Sequence, residues 1–502
     1  MKTLTGFMYY PDSLAESGGV TYFLARSEEE YTKYLGIMTS MPGATGQLLA
    51  DFRDGQGIAR DSSASTHLYP LTPENAAALS ARLPWLRPQP LGLCATAGFG
   101  DRLGLATPGH VRAVENTGIK PIFAQQSVRE NARTRRTPQQ VLDDAMWGVF
   151  QTGWREPWGA DADHLKTPTD IDAFYDAGFT FFTIDPGEHV DNATQADSLE
   201  TLREKVRGLP WDRLDARPEE VSQRYLNQTF QIEDFSLAFE EETLLRALAK
   251  YGRAIAHTVE MSRHLVGRSG KEGYDLEVSV DETHTPTSAE EHFLIASELR
   301  RLGVQWNSLA PRFTGRFEKG VDYIGDLGEF EAQFARHAAI ARHFGTYRLS
   351  LHSGSDKFSI YAIAARQARG LLHLKTAGTS YLEALRVVAQ VDPELFRKIL
   401  LLAIERYEED RASYHVSAEL AKVSVGENVP GQPDAELAPL LDQFDARQVF
   451  HVTFGAVLDR FCAPLMDVLR ANENLYYEYL ETHFKKHLEP LLQDRPFNQN
   501  TG

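Results

Sequence analysis

The stretch RLSLHSGSDKFSIY, Arg348 to Tyr361, packs His352, Ser353, Ser355, Asp356 and Lys357 into one turn after an apolar run. An imidazole, two hydroxyls, a carboxylate and an ammonium so close together suit a site that holds a cation or a hydroxyl-rich anion. Other apolar runs end in similar groups. FTFFTIDPG puts Thr183 and Asp185 on one alternation face and is followed by Glu188 and His189, although Asp185 before Pro186 also reads as an N-cap or Asx-turn residue. YDLEVSVDE puts Glu277, Ser279 and Asp281 on one face, and LLHLKTAG does the same for His373 and Lys375. A carboxylate at every second position of an apolar strand is costly to bury unless it is paired, metal-bound or catalytic.

Each histidine taken singly reads as a core residue with its nitrogens satisfied. His189, His352 and His373 taken with Asp185 and Glu277 form the mixed imidazole and carboxylate set that suits a divalent ion such as Zn, Mn, Co or Ni. Asp185 and Glu277 are also candidate catalytic carboxylates. Gln126, Asn307, Ser353, Ser355 and Thr379 are candidates for binding substrate hydroxyls. Arg312, Lys357 and Lys375 are the cations at strand ends, with Arg312 offering a two-pronged match to a carboxylate. His284 and His451 read as structural.

These residues need a scaffold that brings strand ends together. LGLCATAG, PIFAQQS, FTFFTIDPG, YDLEVSVDE, VQWNSLAP, YRLSLHSGS, LLHLKTAG and VFHVTFG are short apolar runs, most of them separated by amphipathic helical stretches. That alternation predicts a (β/α)8 barrel, whose strands aim their C-terminal ends at one mouth. Gly178 and Gly303 sit where glycines end helices, and Thr or Ser opens both helices. Helical insertions are expected near 190–270 and 380–445, within a barrel spanning 89–502. FSLAFEEETLLRALAKYGRAIAHTVEMSRHLV fits one long helix or two short ones. Residues 1–88 read as a small α/β domain, with a helix over SEEEYTKYLG and another over TPENAAALSARL, closing at the proline-rich LPWLRPQPLG. A doubly wound open sheet uses the same alternation, but GFGDRLG (98–104) lacks the GxGxxG spacing of a dinucleotide site.

Composition narrows the partners. A net charge of −18 argues against nucleic acid, and the one basic cluster, RENARTRRT, fits a helix start or an anion clamp better. No apolar run is long enough for a membrane span and no signal-type segment opens the chain, so a cytoplasmic protein is expected. Cys94 and Cys462 lie far apart and outside any CxxC spacing, which leaves His and carboxylates to hold any metal. A homo-oligomer is compatible with the sequence.

The strings DRLGLATPGHVRAV, FFTIDPGEHVDN, APRFTGRFEKGVDYIGDL, LSLHSGSDKFSIY and HLKTAGTSYLEALRVVA, in order over roughly residues 90–460, together resemble the tagaturonate epimerase family. The resemblance implies a metal-dependent enzyme interconverting tagaturonate and fructuronate, with some members used on fructose and tagatose. It also implies that His352 ligates the metal, that Gly354 lets the backbone approach the substrate, and that Ser353, Ser355 and Lys357 bind hydroxyls and a far-end carboxylate. The two sugars differ at the carbon β to the ketone, whose C–H that carbonyl does not acidify. Retro-aldol cleavage and re-addition, transient hydride removal, and enolisation between two carboxylates are the available routes. A class II type aldolase that releases its fragments is the nearest rival, and a non-catalytic sugar-acid binder is another.

Overall fold

A computed structural model describes residues 2–4, 6–39, 49–58, 65–270, 273–423 and 429–492. The N-terminal residues form a seven-stranded antiparallel sheet, built around Val20–Ser27 and Lys33–Thr39, with one helix, Pro73–Arg82, beside it. The expected helix over 27–36 is instead a turn leading into a strand. Leu35 and Ile37 are buried on alternate positions, and Gly36 leaves room for the Phe23 ring, which lies 2.2 Å from where a Cβ would stand.

The sheet then gives way to a closed barrel of eight parallel strands: β1 (Thr96–Phe99), β2 (Lys120–Ser127), β3 (Gly159–Leu165), β4 (Phe181–Ile184), β5 (Asp275–Val280), β6 (Ser308–Pro311), β7 (Arg348–Leu351) and β8 (Leu372–Thr376). The (β/α)8 expectation holds, but its membership changes at two places. VFHVTFG is not a strand; it spans the end of the helix Phe444–Val452 and the start of the helix Phe454–Ala471. A short apolar run fits a buried helix as well as a buried strand, and here Val449, Phe450 and Val452 are buried between helices. The missing strand is β3, GADADHL, whose polar and small residues hide it from an apolar-run search.

Local chemistry sets the joints. Thr167 and Ser288 form capping boxes with Asp170 and Glu291, and Gly178 (φ 99°) and Gly303 (φ 78°) take left-handed conformations after the helices. The run after β4 holds short helices, the hairpin Thr229–Ile232 with Phe235–Ala238, and one continuous helix, Glu241–Ser269. Below the barrel, Asp275 of β5 accepts the backbone N–H groups of Leu91 (2.9 Å) and Gly92 (3.1 Å), which fixes the proline-rich connection against the strands. Among the described residues no helix is long and apolar enough to cross a membrane.

A buried carboxylate on the helix Glu473–Leu488 ties it to the N-terminal sheet, beside a bond from Lys33 to the Tyr477 hydroxyl at 3.3 Å. Glu473 accepts the Tyr10 hydroxyl at 2.7 Å and pairs with Arg26 at 2.9 Å and Lys33 at 3.2 Å. Burial alone would raise its pKa, but Lys33, Tyr10 and Arg26 hold it below the ordinary 4.5. Its contribution to stability is therefore complete above that value and is lost as pH falls through the depressed folded-state pKa. Glu473→Ala is expected to cost about 3 kcal/mol at neutral pH by stripping Arg26 and Lys33 of their counter-charge. It should also flatten the acid limb of a plot of Tm against pH; parallel acid limbs for variant and wild type would contradict this account.

Candidate active site

The strand C-termini open into a cavity of about 550 Å3. Gln125 and Ser127 of β2, Asp163 and His164 of β3, Asp281 after β5, Arg312 after β6, His352 and Ser353 after β7, and Lys375 of β8 line it. Loop residues 315–319 and 414–417 contribute further wall.

Under the cavity, the Lys375 ammonium is buried among three carboxylates. It lies 2.8 Å from Asp161, 2.7 Å from Asp163 and 3.0 Å from Glu277, and donates to the Thr183 hydroxyl at 2.6 Å. Burial would lower its pKa, but Asp161, Asp163 and Glu277 hold it above the ordinary lysine value. The acids respond unequally. Burial pushes Asp161 up to about 7. Burial works against ionised Asp163 and Glu277 as well, yet Asp163 is held well below its usual range by His164 and Lys375, and Glu277 by Lys375 and His352.

Two imidazoles stand above this layer, with ring centroids 5.0 Å apart. His352 donates from Nε2 to Glu277 at 2.6 Å and lies 3.2 Å from Asp281 through Nδ1. Burial disfavours its charge, but Asp281 and Glu277 raise its pKa to about 9. His164 donates from Nδ1 to Asp163 at 2.8 Å, with Nε2 3.9 Å from Asp281 and from Glu282; against the effect of burial, Asp163 raises it to about 10. Asp163 and His164 are consecutive, so strict alternation would put them on opposite faces. A register shift in β3 between Ala162 and Leu165, with His164 at φ 57°, lets both line the cavity.

Asp163, His164 and His352 each offer a ligand atom, all within 4.8 Å of one another. Their chemistry fits a divalent cation. Two rings are held protonated because carboxylates converge on them, and an ion would satisfy those carboxylates while the rings bound it as neutral ligands. The hydrogen bonds from His352 to Glu277 and from His164 to Asp163 would orient the rings.

Several sequence candidates lie elsewhere. Glu277 is beneath the cavity, holding His352 and Lys375, and accepts the Ser308 hydroxyl at 2.5 Å. Asp185 is buried outside the lining, closes an Asx turn on the Gly187 N–H (2.8 Å) and lies 3.7 Å from Lys166, so the two carboxylates do not face each other across the cavity. His189 is exposed and stacked on His257 at 4.1 Å. His373 sits one layer down, bonded to Thr96 at 2.8 Å, with burial holding it neutral. Neither ring joins His352.

Gln126 turns outward to Thr134 because its neighbour Gln125 takes the inward position. Asn307 precedes β6, at the opposite end from the mouth, and accepts the Leu276 N–H at 3.1 Å. Lys357 is buried and donates to the carbonyls of Glu318, Val321 and Ser355. Ser355 bonds Ala377 O, and Thr379 reaches Asp356. Gly354 packs against β7 and β8, where a Cβ would stand 2.6 Å from Leu351 O, so it serves the turn and not a substrate. Arg312, Ser353, Lys375 and His352 do line the cavity, as does His284.

The residues missed are Asp161, Asp163 and His164, all on the unrecognised strand, together with Gln125 and Lys319 of the cavity lining. The signal was present: the helix ending at Thr152 and the one opening at Pro168 need a strand between them, and GADADHL alternates its carboxylates with alanine.

Lys375→Met is expected to destabilise the fold by about 3–5 kcal/mol, because three carboxylates lose their shared cation. Without it their folded-state pKa values rise above the unfolded ones, so the deficit should shrink as pH is lowered from about 8 to about 5.5. Urea unfolding of both proteins across that range measures it; a deficit that grows on acidification would contradict the layer described.

Comparison with known proteins finds relatives over nearly the whole chain. The tagaturonate epimerase family model matches residues 10–491. The tagaturonate/fructuronate epimerase of Thermotoga maritima is 43% identical over 488 residues, covering 97% of each chain. Two crystal structures of the fructuronate–tagaturonate epimerase from Cohnella laeviribosi, one with a glycerol and one native, superpose with TM-score 0.89 at 39% identity, over 97% of this chain and 96% of theirs.

Proposed function

The chain belongs to the tagaturonate epimerase family, and from that premise we propose that it interconverts D-tagaturonate and D-fructuronate by inverting the carbon β to the ketone (C4 in ketose numbering), with a divalent metal ion at the cavity floor. The observation that carries the reading is the convergence of His164, His352 and Asp163 on one point beside Asp281, in a cavity large enough for a six-carbon sugar acid. Asp163, His164 and His352 would hold the ion. When bound, it would supply Lewis-acid polarisation of the ketone.

The remaining residues fit retro-aldol cleavage and re-addition best. Asp281, paired with the Ser279 hydroxyl and His352, is the carboxylate beside the three ligand residues that is not needed to hold the ion. It takes the proton of the C4 hydroxyl as the C3–C4 bond breaks, leaving an aldehyde at C4 and the bond electrons on the C2–C3 fragment. The aldehyde presents its other face, the C3–C4 bond re-forms, and Asp281 returns the proton to the new C4 oxygen. All atoms stay in the cavity and no carbon-bound hydrogen exchanges with water. Gln125 and Ser353 line the same space and are positioned to retain both fragments. Use of neutral fructose and tagatose would need the same chemistry without the carboxylate.

Incubation of purified protein with fructuronate, with and without chelator, followed by NMR in deuterated water, tests this. Metal-dependent appearance of tagaturonate without deuterium at C4 is expected. Separated short-chain products would mean an aldolase, and deuterium at C4 would mean enolisation. His352→Ala should lower metal content and cut kcat/KM by at least about 100-fold. Asp281→Asn should keep the metal and lose kcat, and a fully active variant would remove Asp281 from this role.

A further inference from the structure

Most cations lining the cavity are already committed. Arg102 donates to Glu130 at 2.9 Å and to His451 O, Lys375 is enclosed by its carboxylates, Arg316 pairs with Glu318 at 3.3 Å, and Arg312 donates to Thr283 O. Lys319 is different. It lies on the cavity wall with neither a hydrogen bond nor an ion pair among the described residues. Its neighbour in charge is Arg129, which lies over the Tyr414 ring (5.4 Å) and only 3.8 Å from Glu282. Burial and the Arg129 guanidinium both push the Lys319 pKa down, while Glu130, Asp163 and Asp281 partly offset them. Those carboxylates are engaged elsewhere: Glu130 by Arg102, Asp163 by His164 and Lys375, Asp281 by Ser279 and His352.

The Arg129 guanidinium already has Glu282 as a counter-ion, but a lysine beside it with no carboxylate of its own, in a partly desolvated wall, is unfavourable until an anion joins it. We propose that Lys319, with Arg129 beside it, receives the C6 carboxylate of the keto-uronate, and that Lys319 is the residue that favours the acid over the neutral ketose. This rests on the epimerase reading above. The role differs from those expected for Lys357, whose ammonium is consumed by three carbonyls, and Arg312, whose guanidinium is turned to Thr283. Lys319 lines the same cavity as Asp163 and Asp281, so a carboxylate bound to it keeps the rest of the sugar within reach of the reacting end. A Lys–carboxylate contact at this depth is a charge-assisted hydrogen bond.

The test compares wild type, Lys319→Met, Lys319→Arg and Arg129→Gln for steady-state kinetics with fructuronate and for calorimetric binding of fructuronate and D-fructose. Lys319→Met is expected to raise the fructuronate KM and Kd by about 10- to 100-fold with kcat little changed, and to lower the fructuronate-to-fructose affinity ratio by the same factor. Lys319→Arg should restore part of the loss, and Arg129→Gln should raise KM less. A structural role would weaken both sugars alike or lower kcat, and either result, or an unchanged Kd for fructuronate, overturns the proposal. If Lys319→Met does not fold, Arg129→Gln and the salt dependence of the wild-type fructuronate Kd decide in its place: a Kd insensitive to both refutes the clamp. Wild type that binds fructuronate without turning it over would refute the epimerase reading, and the binding arms would still judge the clamp.

Discussion

The Lys375 ammonium, closed off from water among Asp161, Asp163 and Glu277, is the constraint on which the site depends. Removing one cation and three carboxylates from water costs several kcal/mol per charge, and only close, mutually bonded geometry offsets it. That requirement dictates side chains on three strands at once: the alternating aspartates of β3, Glu277 on β5 and Lys375 on β8 are intelligible only together. It also explains why the acids differ. One ammonium cannot neutralise three carboxylates, so Asp161, the one without an imidazole partner, is pushed toward neutrality while Asp163 and Glu277 stay ionised. The ionised pair then fixes the two histidines above.

The turn after β7 connects this layer to the rest of the molecule. Its residues divide by direction. His352 and Ser353 line the cavity, whereas Asp356 turns to the C-terminal helix and meets His483 at 2.6 Å and Arg447 at 3.0 Å. Lys357 is bonded to the loop carbonyls of Glu318 and Val321. Ser353 (φ 48°) and Asp356 (φ 62°) adopt left-handed backbone to make the division possible, an unfavourable conformation for residues with side chains that the surrounding bonds must sustain. An imidazole, two hydroxyls, a carboxylate and an ammonium thus occur together because one turn serves both the cavity and its frame.

The fold class was readable because most barrel strands are apolar and bounded by capped helices. The strand that was not readable, β3, is the one that carries most of the chemistry, and for a physical reason: a strand that delivers buried charge to a barrel centre cannot be an apolar run. Period-two reasoning placed Glu277, His352 and Lys375 in the interior, but it said nothing of depth. His373 and Asn307 therefore read as strand-end residues when they belong to the lower layers. Alternation also fails at the β3 irregularity, where consecutive Asp163 and His164 share the cavity. Bulges and left-handed residues follow from packing that a single sequence does not display.

Charge at the scale of the whole chain and charge at the cavity point in opposite directions, which bears on how an acidic sugar would be recognised. At a net charge of −18 the distant field repels an anion. Screening confines that repulsion, since the Debye length is about 8 Å at physiological ionic strength. Within that range the wall around Arg129 and Lys319 governs: Arg129 pairs with Glu282 at 3.8 Å, whereas Lys319 has no ion pair among the described residues, and Glu130, Asp163 and Asp281 each already hold another partner. Selection of an anion would therefore be a short-range event inside the mouth, made at a lysine without a counter-ion of its own, and it is compatible with an acidic chain.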